Sequence, residues 1–135
     1  MRKEMYMDQS GGLIIRALGA GEAFPVPDSI VRVRGSDKEN KNIIYTVFTD
    51  EDGVTRRLTL PAPDAENSSS PYAPKPPYYN YEVTVEKEGY YPKMITGVSV
   101  FPGVLSVLTV NMIPIVGFND GGRYPRENLI MQSEE

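Results

Sequence analysis

Carboxylates are the main candidates for catalysis or metal binding in this sequence, because its 135 residues include neither histidine nor cysteine. That absence removes the commonest general base, the Ser–His and Cys–His nucleophile pairs and every thiolate metal site. The densest carboxylate run, Asp50-Glu51-Asp52-Gly53, is similar in spacing to the start of a calcium-binding loop. The twelfth position counted from Asp50 is Pro61, where such a loop needs a bidentate Glu. The spacing therefore favours a solvated turn, and we expect no metal and no cofactor.

Glu82 and Glu86 form a second candidate pair, of the kind that glycoside hydrolases use. Both fall on the polar side of an alternating strand, where solvated surface is the simpler interpretation. We therefore expect no catalytic residues and a protein that is not an enzyme. A carboxylate-based hydrolase stays as a less favoured alternative.

Five tyrosines lie in or beside residues 61–77, a segment with six prolines and three consecutive serines. Tyrosine beside proline can form a platform for sugar rings or peptides. The alternative is that these tyrosines pack the segment onto the domain, each hydroxyl finding one partner. The candidate surface for ligand binding or loop packing comprises Tyr72, Tyr78, Tyr79, Tyr90 and Tyr91.

Basic residues offer a weaker candidate site. Arg32, Arg34, Arg56 and Arg57 would form a small patch if their strands were neighbours, although charged residues more often just protect sheet edges. The formal net charge of -4 argues against nucleic acid as a partner. The partners that we expect are other protein domains or a cell-wall glycan.

Periodicity defines the elements that would position these residues. From Tyr79 to Glu86 the odd positions are Tyr, Tyr, Val and Val, and the even positions are Asn, Glu, Thr and Glu. This alternation predicts a half-buried strand with one face on a core. Similar signals, with frequent Gly and Pro between them, predict seven strands and no amphipathic helix. The predicted strands span residues 13–18, 29–34, 43–49, 54–60, 78–88, 93–101 and 104–114, the fifth ending in a corner at residues 89–92.

Turn signals refine this assignment. Asp52-Gly53 predicts that strands 43–49 and 54–60 form a hairpin, and Gly97 predicts a bulge. The last strand has Leu108, Val110 and Met112 on one face and Leu105 and Val107 on the other, so we expect it to be covered on both sides. Burial of the second face by another copy would make a homo-oligomer, a structural alternative to ligand binding.

The predicted organisation is one domain, residues 11–116, between an N-terminal arm of residues 1–10 and a C-terminal tail of residues 117–135. We find no signal peptide in the charged start and no apolar run near the ~20 residues that a membrane helix needs. The sequence thus predicts cytoplasmic synthesis without membrane insertion, and association with a spore or cell wall stays open.

Several motifs resemble a known family. Ala23-Phe24-Pro25-Val26 precedes a strand, Thr49-Asp50-Glu51-Asp52-Gly53 precedes another, and Tyr81-Glu82-Val83-Thr84-Val85 is followed by Gly89-Tyr90. Together with Leu13-Ile14-Ile15, they resemble the carboxypeptidase-regulatory-like domain, a transthyretin-like β-sandwich. The resemblance implies an all-β, seven-stranded Greek-key sandwich and contributes no catalytic residues.

A narrower resemblance concerns biological context. Five segments look like accessory regions of clostridial spore cortex-lytic and peptidoglycan-binding proteins: Leu58 to Pro63, Ser68 to Pro71, Pro76-Pro77-Tyr78, Gly89 to Pro92 and Gly97 to Gly103. This resemblance implies a non-catalytic binding or scaffolding module associated with a bacterial cell wall or spore cortex.

Overall fold

The computed structural model describes residues 9–64 and 77–116, which form eight strands in two sheets. The predicted all-β, transthyretin-like Greek-key sandwich is confirmed, with one two-residue strand added to the seven predicted ones. The strands are β1 (Gln9–Gly19), β2 (Phe24–Pro25), β3 (Ile30–Gly35), β4 (Ile44–Phe48), β5 (Leu58–Ala62), β6 (Tyr79–Glu86), β7 (Lys93–Val100) and β8 (Leu105–Met112). The described ranges contain no helix that could cross a membrane.

The first sheet, which we call sheet A, is built around β1. Strands β5 and β2 pair antiparallel with its two ends along one edge, and β8 pairs parallel with it over eight residues. The β1 strand begins at Gln9, so its first two residues lie within the range predicted as an arm. Its inward residues Leu13, Ile15 and Ala17 pack in the core between the two sheets and have no exposed surface.

The second sheet, sheet B, is antiparallel in the order β4-β3-β6-β7. The predicted alternation of β6 is confirmed, because Tyr79, Tyr81, Val83 and Val85 face the core and are buried. The predicted bulge is confirmed as well. Tyr81 pairs with Val98 and Val83 with Ile95, so Thr96 and Gly97 together oppose Glu82, and Gly97 has a φ of 71° that favours glycine.

The predicted hairpin of residues 43–49 and 54–60 is wrong. The Asp52-Gly53 turn forms, with the Gly53 N–H donating to the Asp50 carbonyl (2.8 Å), but β4 pairs with β3 and β5 pairs with β1. After the turn, the Thr55 N–H donates to the Ile15 carbonyl (2.9 Å), and the Ile15 N–H donates to the Thr55 hydroxyl (3.0 Å). The chain therefore crosses to sheet A, because the open edge of β1 supplies these hydrogen bonds.

Coverage of the last strand on both faces is also not found within the described residues. Val110 and Met112 face the core, whereas Leu105 and Val107 lie on the outer face of sheet A and are 45% and 52% exposed. Their register partners on β1 are Gly12, which has no side chain, and Ile14, which is itself partly exposed. The strand thus presents uncovered apolar residues to solvent.

Candidate functional site

The structure separates the five candidate tyrosines. Tyr79 faces the core and is 7% exposed, whereas the ring of Tyr78 lies beside that of Phe101, with centroids 5.2 Å apart. Tyr90 and Tyr91 follow the opposite end of β6, which is about 26 Å long at ~3.3 Å per residue. Tyr72 lies outside the described residues. The described tyrosines therefore do not form one continuous surface.

The two ends of β6 use their tyrosines differently. Tyr90 packs against the edge of the core, and its segment is tied to the end of sheet A by a hydrogen bond from the Tyr91 N–H to the Ile113 carbonyl (2.9 Å). Tyr91 itself is 53% exposed. Packing accounts for Tyr79 and for part of Tyr90, and a role in ligand binding stays a prediction for Tyr78 and Tyr91.

A groove lies at the Tyr90 end of β6. Its volume is about 480 Å³, and it opens on the outer face of sheet B. Its walls combine apolar and aromatic side chains with three carboxylates and a lysine. The lining residues are Asp28, Ile30, Phe48, Glu86, Lys87, Glu88, Tyr90 and Pro92.

Sheet register explains how three distant segments meet in this groove. Ile30 on β3 lies between Phe48 on β4 and Glu86 on β6, so their outward side chains form one row across the sheet. Phe48 is 59% exposed although it is large and apolar. The Lys87–Pro92 corner then adds Tyr90 at the end of this row. The result is an aromatic surface bordered by charge.

A buried hydroxyl network holds the wall that carries Asp28. The Thr49 hydroxyl accepts a hydrogen bond from the Ser29 N–H (2.9 Å) and donates one to the Val26 carbonyl (2.8 Å). The Ser29 hydroxyl donates to the same carbonyl (3.1 Å), and both hydroxyl residues are almost fully buried. Asp28 has a φ of 58°, an uncommon value for a residue with a side chain. The network therefore stabilises a turn that points Asp28 at the groove.

The candidate catalytic carboxylates do not converge. Asp50 accepts hydrogen bonds from the N–H groups of Asp52 (2.9 Å) and Val54 (3.0 Å), so it stabilises its own turn. Glu86 pairs with Arg32 at 3.1 Å. Glu82 and Glu86 are four residues apart on one strand, about 13 Å, beyond the ~5–9.5 Å that separates the carboxyl groups of glycoside hydrolases. Within residues 9–64 and 77–116, no group of three or more acidic residues could hold a metal ion.

The four arginines are divided between the sheets. Arg32 and Arg34 lie on the outer face of sheet B, whereas Arg57 precedes β5 and lies close to Gly12 on the outer face of sheet A. Arg56 is exposed beside Arg57. The condition for a basic patch, that these strands are neighbours, is therefore not met.

Sequence reasoning did not find the groove, because its residues come from segments that the sequence separates widely. Phe48 offered a signal: Val47 and Phe48 adjoin in a strand, so only one of them can face the core. The neighbouring Tyr90 was found through its corner motif. Asp28 gave no distinguishing signal, since it is an ordinary polar residue in a turn, and Glu86 was singled out only as a partner of Glu82.

Comparisons with known proteins identify the fold alone. No protein-family model matches this sequence, and no curated protein is significantly similar to it. Among solved structures, the Bacillus anthracis TIE protein shares 21% identity at a TM-score of 0.51, over 79% of this chain and 17% of that one. The minor pilin GBS52 of Streptococcus agalactiae shares 12% at 0.50, over 81% of this chain and 46% of that one.

Enzymes share the fold as well. Hydroxyquinol 1,2-dioxygenase from Pseudomonas putida DLL-E4 is 11% identical at a TM-score of 0.56, over 79% of this chain and 57% of that one. The chain thus spans less than two thirds of the length of each of these structures. With all three identities below 25%, they show that this chain has a β-sandwich fold of the transthyretin-like class, found in proteins of unlike function.

Proposed function

We propose that the chain is a non-catalytic β-sandwich module that binds or scaffolds at a bacterial cell wall or spore cortex. The observation that carries the proposal is the groove of about 480 Å³, in which Phe48 and Tyr90 lie beside Asp28, Glu86 and Glu88. Aromatic rings stack on the apolar faces of sugar rings, and carboxylates accept hydrogen bonds from hydroxyl and amine groups. Cell-wall glycan with attached peptide offers all of these groups.

Two further observations support a binding role. The carboxylates that the sequence offered for a hydrolase do not form a site, because Asp50 holds its own turn and Glu82 and Glu86 lie about 13 Å apart along one strand. The comparison with a minor pilin of a gram-positive pathogen is compatible with a role at a bacterial surface. The comparison with a dioxygenase makes an enzyme the competing class.

Co-sedimentation with purified peptidoglycan sacculi tests the proposal. We expect the chain to pellet with sacculi and Phe48→Ala to weaken this binding at least fivefold, because it removes an exposed ring of the groove. Met94→Ala is the matched control, since Met94 is equally exposed (63%) on the same outer face but does not line the groove.

Three outcomes discriminate the alternatives. Loss of binding in Tyr78→Ala but not in Phe48→Ala would place the surface at the other end of β6, beside Phe101. Release of soluble fragments from the sacculi would favour a hydrolase. No retention on sacculi or on a glycan array would overturn the cell-wall proposal.

A further inference from the structure

The region around β8 has an unusual charge pattern. Charged residues make up 24% of the chain, yet none occurs between Lys93 and Asp120. This interval includes all of β8, which is an edge strand of sheet A because the described residues pair it with β1 alone. Val104, Leu105 and Val107 are 47%, 45% and 52% exposed in it. An apolar edge is thus presented to solvent without a charge on it.

The unused hydrogen-bonding groups of β8 can be assigned from its register. The Gly12 N–H donates to the Val104 carbonyl (2.9 Å), and Gly12 is the partner of Leu105 in a parallel pair. In such a ladder alternate residues bond to one neighbour, so the even residues of β8 bond to β1. The N–H and C=O groups that face away from β1 belong to Leu105, Val107, Thr109 and Asn111.

The other edge strands are short or carry a protecting feature, and β8 is neither short nor protected: β2 and β4 have only two and five residues. Charged residues, proline and bulges normally prevent an edge from pairing with another chain. Strand β7 has the Gly97 bulge, and β5 contains Pro61 and follows Arg56 and Arg57. Strand β8 has eight residues in unbroken register with β1 and contains no proline and no charge. Among the described residues its edge is open from Leu105 to Asn111, and beyond β8 the Tyr91 N–H occupies the Ile113 carbonyl.

We infer that β8 pairs antiparallel with β8 of a second copy of this chain, about a two-fold axis. A copy is favoured over a charged partner because the edge carries no charge, whereas the rest of the chain carries the net -4. Two copies that meet at β8 bring no like charges together at the contact, and their interface is isologous. This inference does not depend on the proposed cell-wall role.

Strand geometry restricts the register of this pair. Outward backbone groups must face outward backbone groups, so odd residues of β8 face odd residues of its copy. The two-fold axis closest to the middle of β8 therefore passes through Leu108 or through Thr109. Thr109 then lies opposite either Val107 or Thr109 of the second copy. The edge is about 26 Å long, so the buried area falls toward the lower end of specific interfaces. We therefore expect a dimer that dissociates at micromolar concentration.

Sedimentation velocity across about 1–300 µM tests the inference, a range that spans micromolar dissociation. The mass should rise with concentration from 15.0 kDa toward twice that value. Val107→Lys should raise the dissociation constant at least tenfold, because it places charges on both sides of the axis. Ile44→Lys should leave the dissociation constant unchanged, because Ile44 is an apolar residue of similar exposure (62%, against 52% for Val107) on the edge strand β4. A monomer throughout, or equal effects of the two variants, would overturn the inference.

Cross-linking locates the contact. The chain has no cysteine, so Thr109→Cys introduces a single thiol, and Thr46→Cys on β4 is its matched control. With a short bismaleimide at dimer-forming concentration, Cys at position 109 should yield a covalent dimer at least tenfold faster than Cys at position 46. Equal rates would mean that the copies do not meet at β8 and would also overturn the inference.

Discussion

The two faces of sheet B use the same kinds of side chain for opposite purposes. The inner face buries Tyr79, Tyr81, Val83 and Val85 on β6 against sheet A. The outer face leaves Ile44, Phe48 and Met94 more than half exposed. Residue type therefore does not distinguish the core of this protein from its candidate binding surface. Side-chain direction along each strand does, so paired substitutions on the two faces can test the comparison.

The largest expected difference is between two aromatic residues, Tyr81 and Phe48. Tyr81 is fully buried and its hydroxyl donates to the Pro61 carbonyl (2.6 Å), which joins sheet B to sheet A. Tyr81→Ala should lower the free energy of unfolding by about 3–5 kcal/mol, since it removes a buried ring and leaves a cavity. Phe48→Ala should change it by less than about 0.5 kcal/mol, because the ring is exposed. Urea unfolding followed by circular dichroism measures both.

Tyr81→Phe separates packing from hydrogen bonding in the same experiment. It keeps the ring and removes the hydroxyl, so we expect a loss of about 0.5–1.5 kcal/mol. If Tyr81→Ala and Phe48→Ala destabilised the protein equally, the two faces would contribute alike to stability and the comparison would be wrong.

The sequence predicts features that depend on neighbouring residues, and it does not predict which distant strands pair. Alternation within one strand placed Tyr79 and Tyr81 inside and Glu82 outside, and a local glycine signal placed the bulge at Gly97. The hairpin was missed because the Asp52-Gly53 turn forms equally well when the chain then crosses to the other sheet. A turn specifies the local backbone and does not select the partner strand.

The candidate site was harder to predict for the same reason. Tyr78 and Tyr90 are close in sequence and at opposite ends of β6, because a strand separates its ends by ~3.3 Å for each residue. Phe48 and Glu86 are distant in sequence and lie in one row, because β3 pairs with both of their strands. Pairing of this kind is a property of the whole sheet, and local patterns do not contain it.

A smaller difference should separate two threonines of the β4 segment. The buried Thr49 hydroxyl joins Ser29 to Val26, whereas Thr46 points outward and is exposed. Thr49→Val keeps the shape but leaves the Ser29 N–H without its acceptor, so it should cost about 1–3 kcal/mol of unfolding free energy. Thr46→Val should stay within about 0.5 kcal/mol of the unsubstituted chain.

Thr49→Val also tests whether the inner and outer faces of sheet B are coupled, because the same buried network holds Asp28 at the groove. Hydrogen exchange should become faster at the N–H groups of Asp28 and Ser29, the first of which donates to the Thr49 carbonyl (3.0 Å). Unchanged exchange there, with unfolding free energy also unchanged, would show that packing alone holds this turn.

The smallest expected effect is that of the ion pair on the outer face. Arg32 and Glu86 are 3.1 Å apart, but their side chains are 46% and 50% exposed, so water screens their attraction. A double-mutant cycle with Arg32→Ala and Glu86→Ala should give a coupling energy of about 0.2–1 kcal/mol, which falls as salt is raised to 1 M.

Arg34 and Glu82 supply the matched cycle, because they are direct register partners on the same two strands and form no ion pair in the structure. Their coupling should be smaller than that of Arg32 and Glu86 in the same buffer. Coupling above about 2 kcal/mol for either pair would exceed the range for exposed pairs, and would mean that the outer face is covered in solution. Such a result would contradict the contrast between a buried inner face and an exposed outer face, since both faces of sheet B would then be buried.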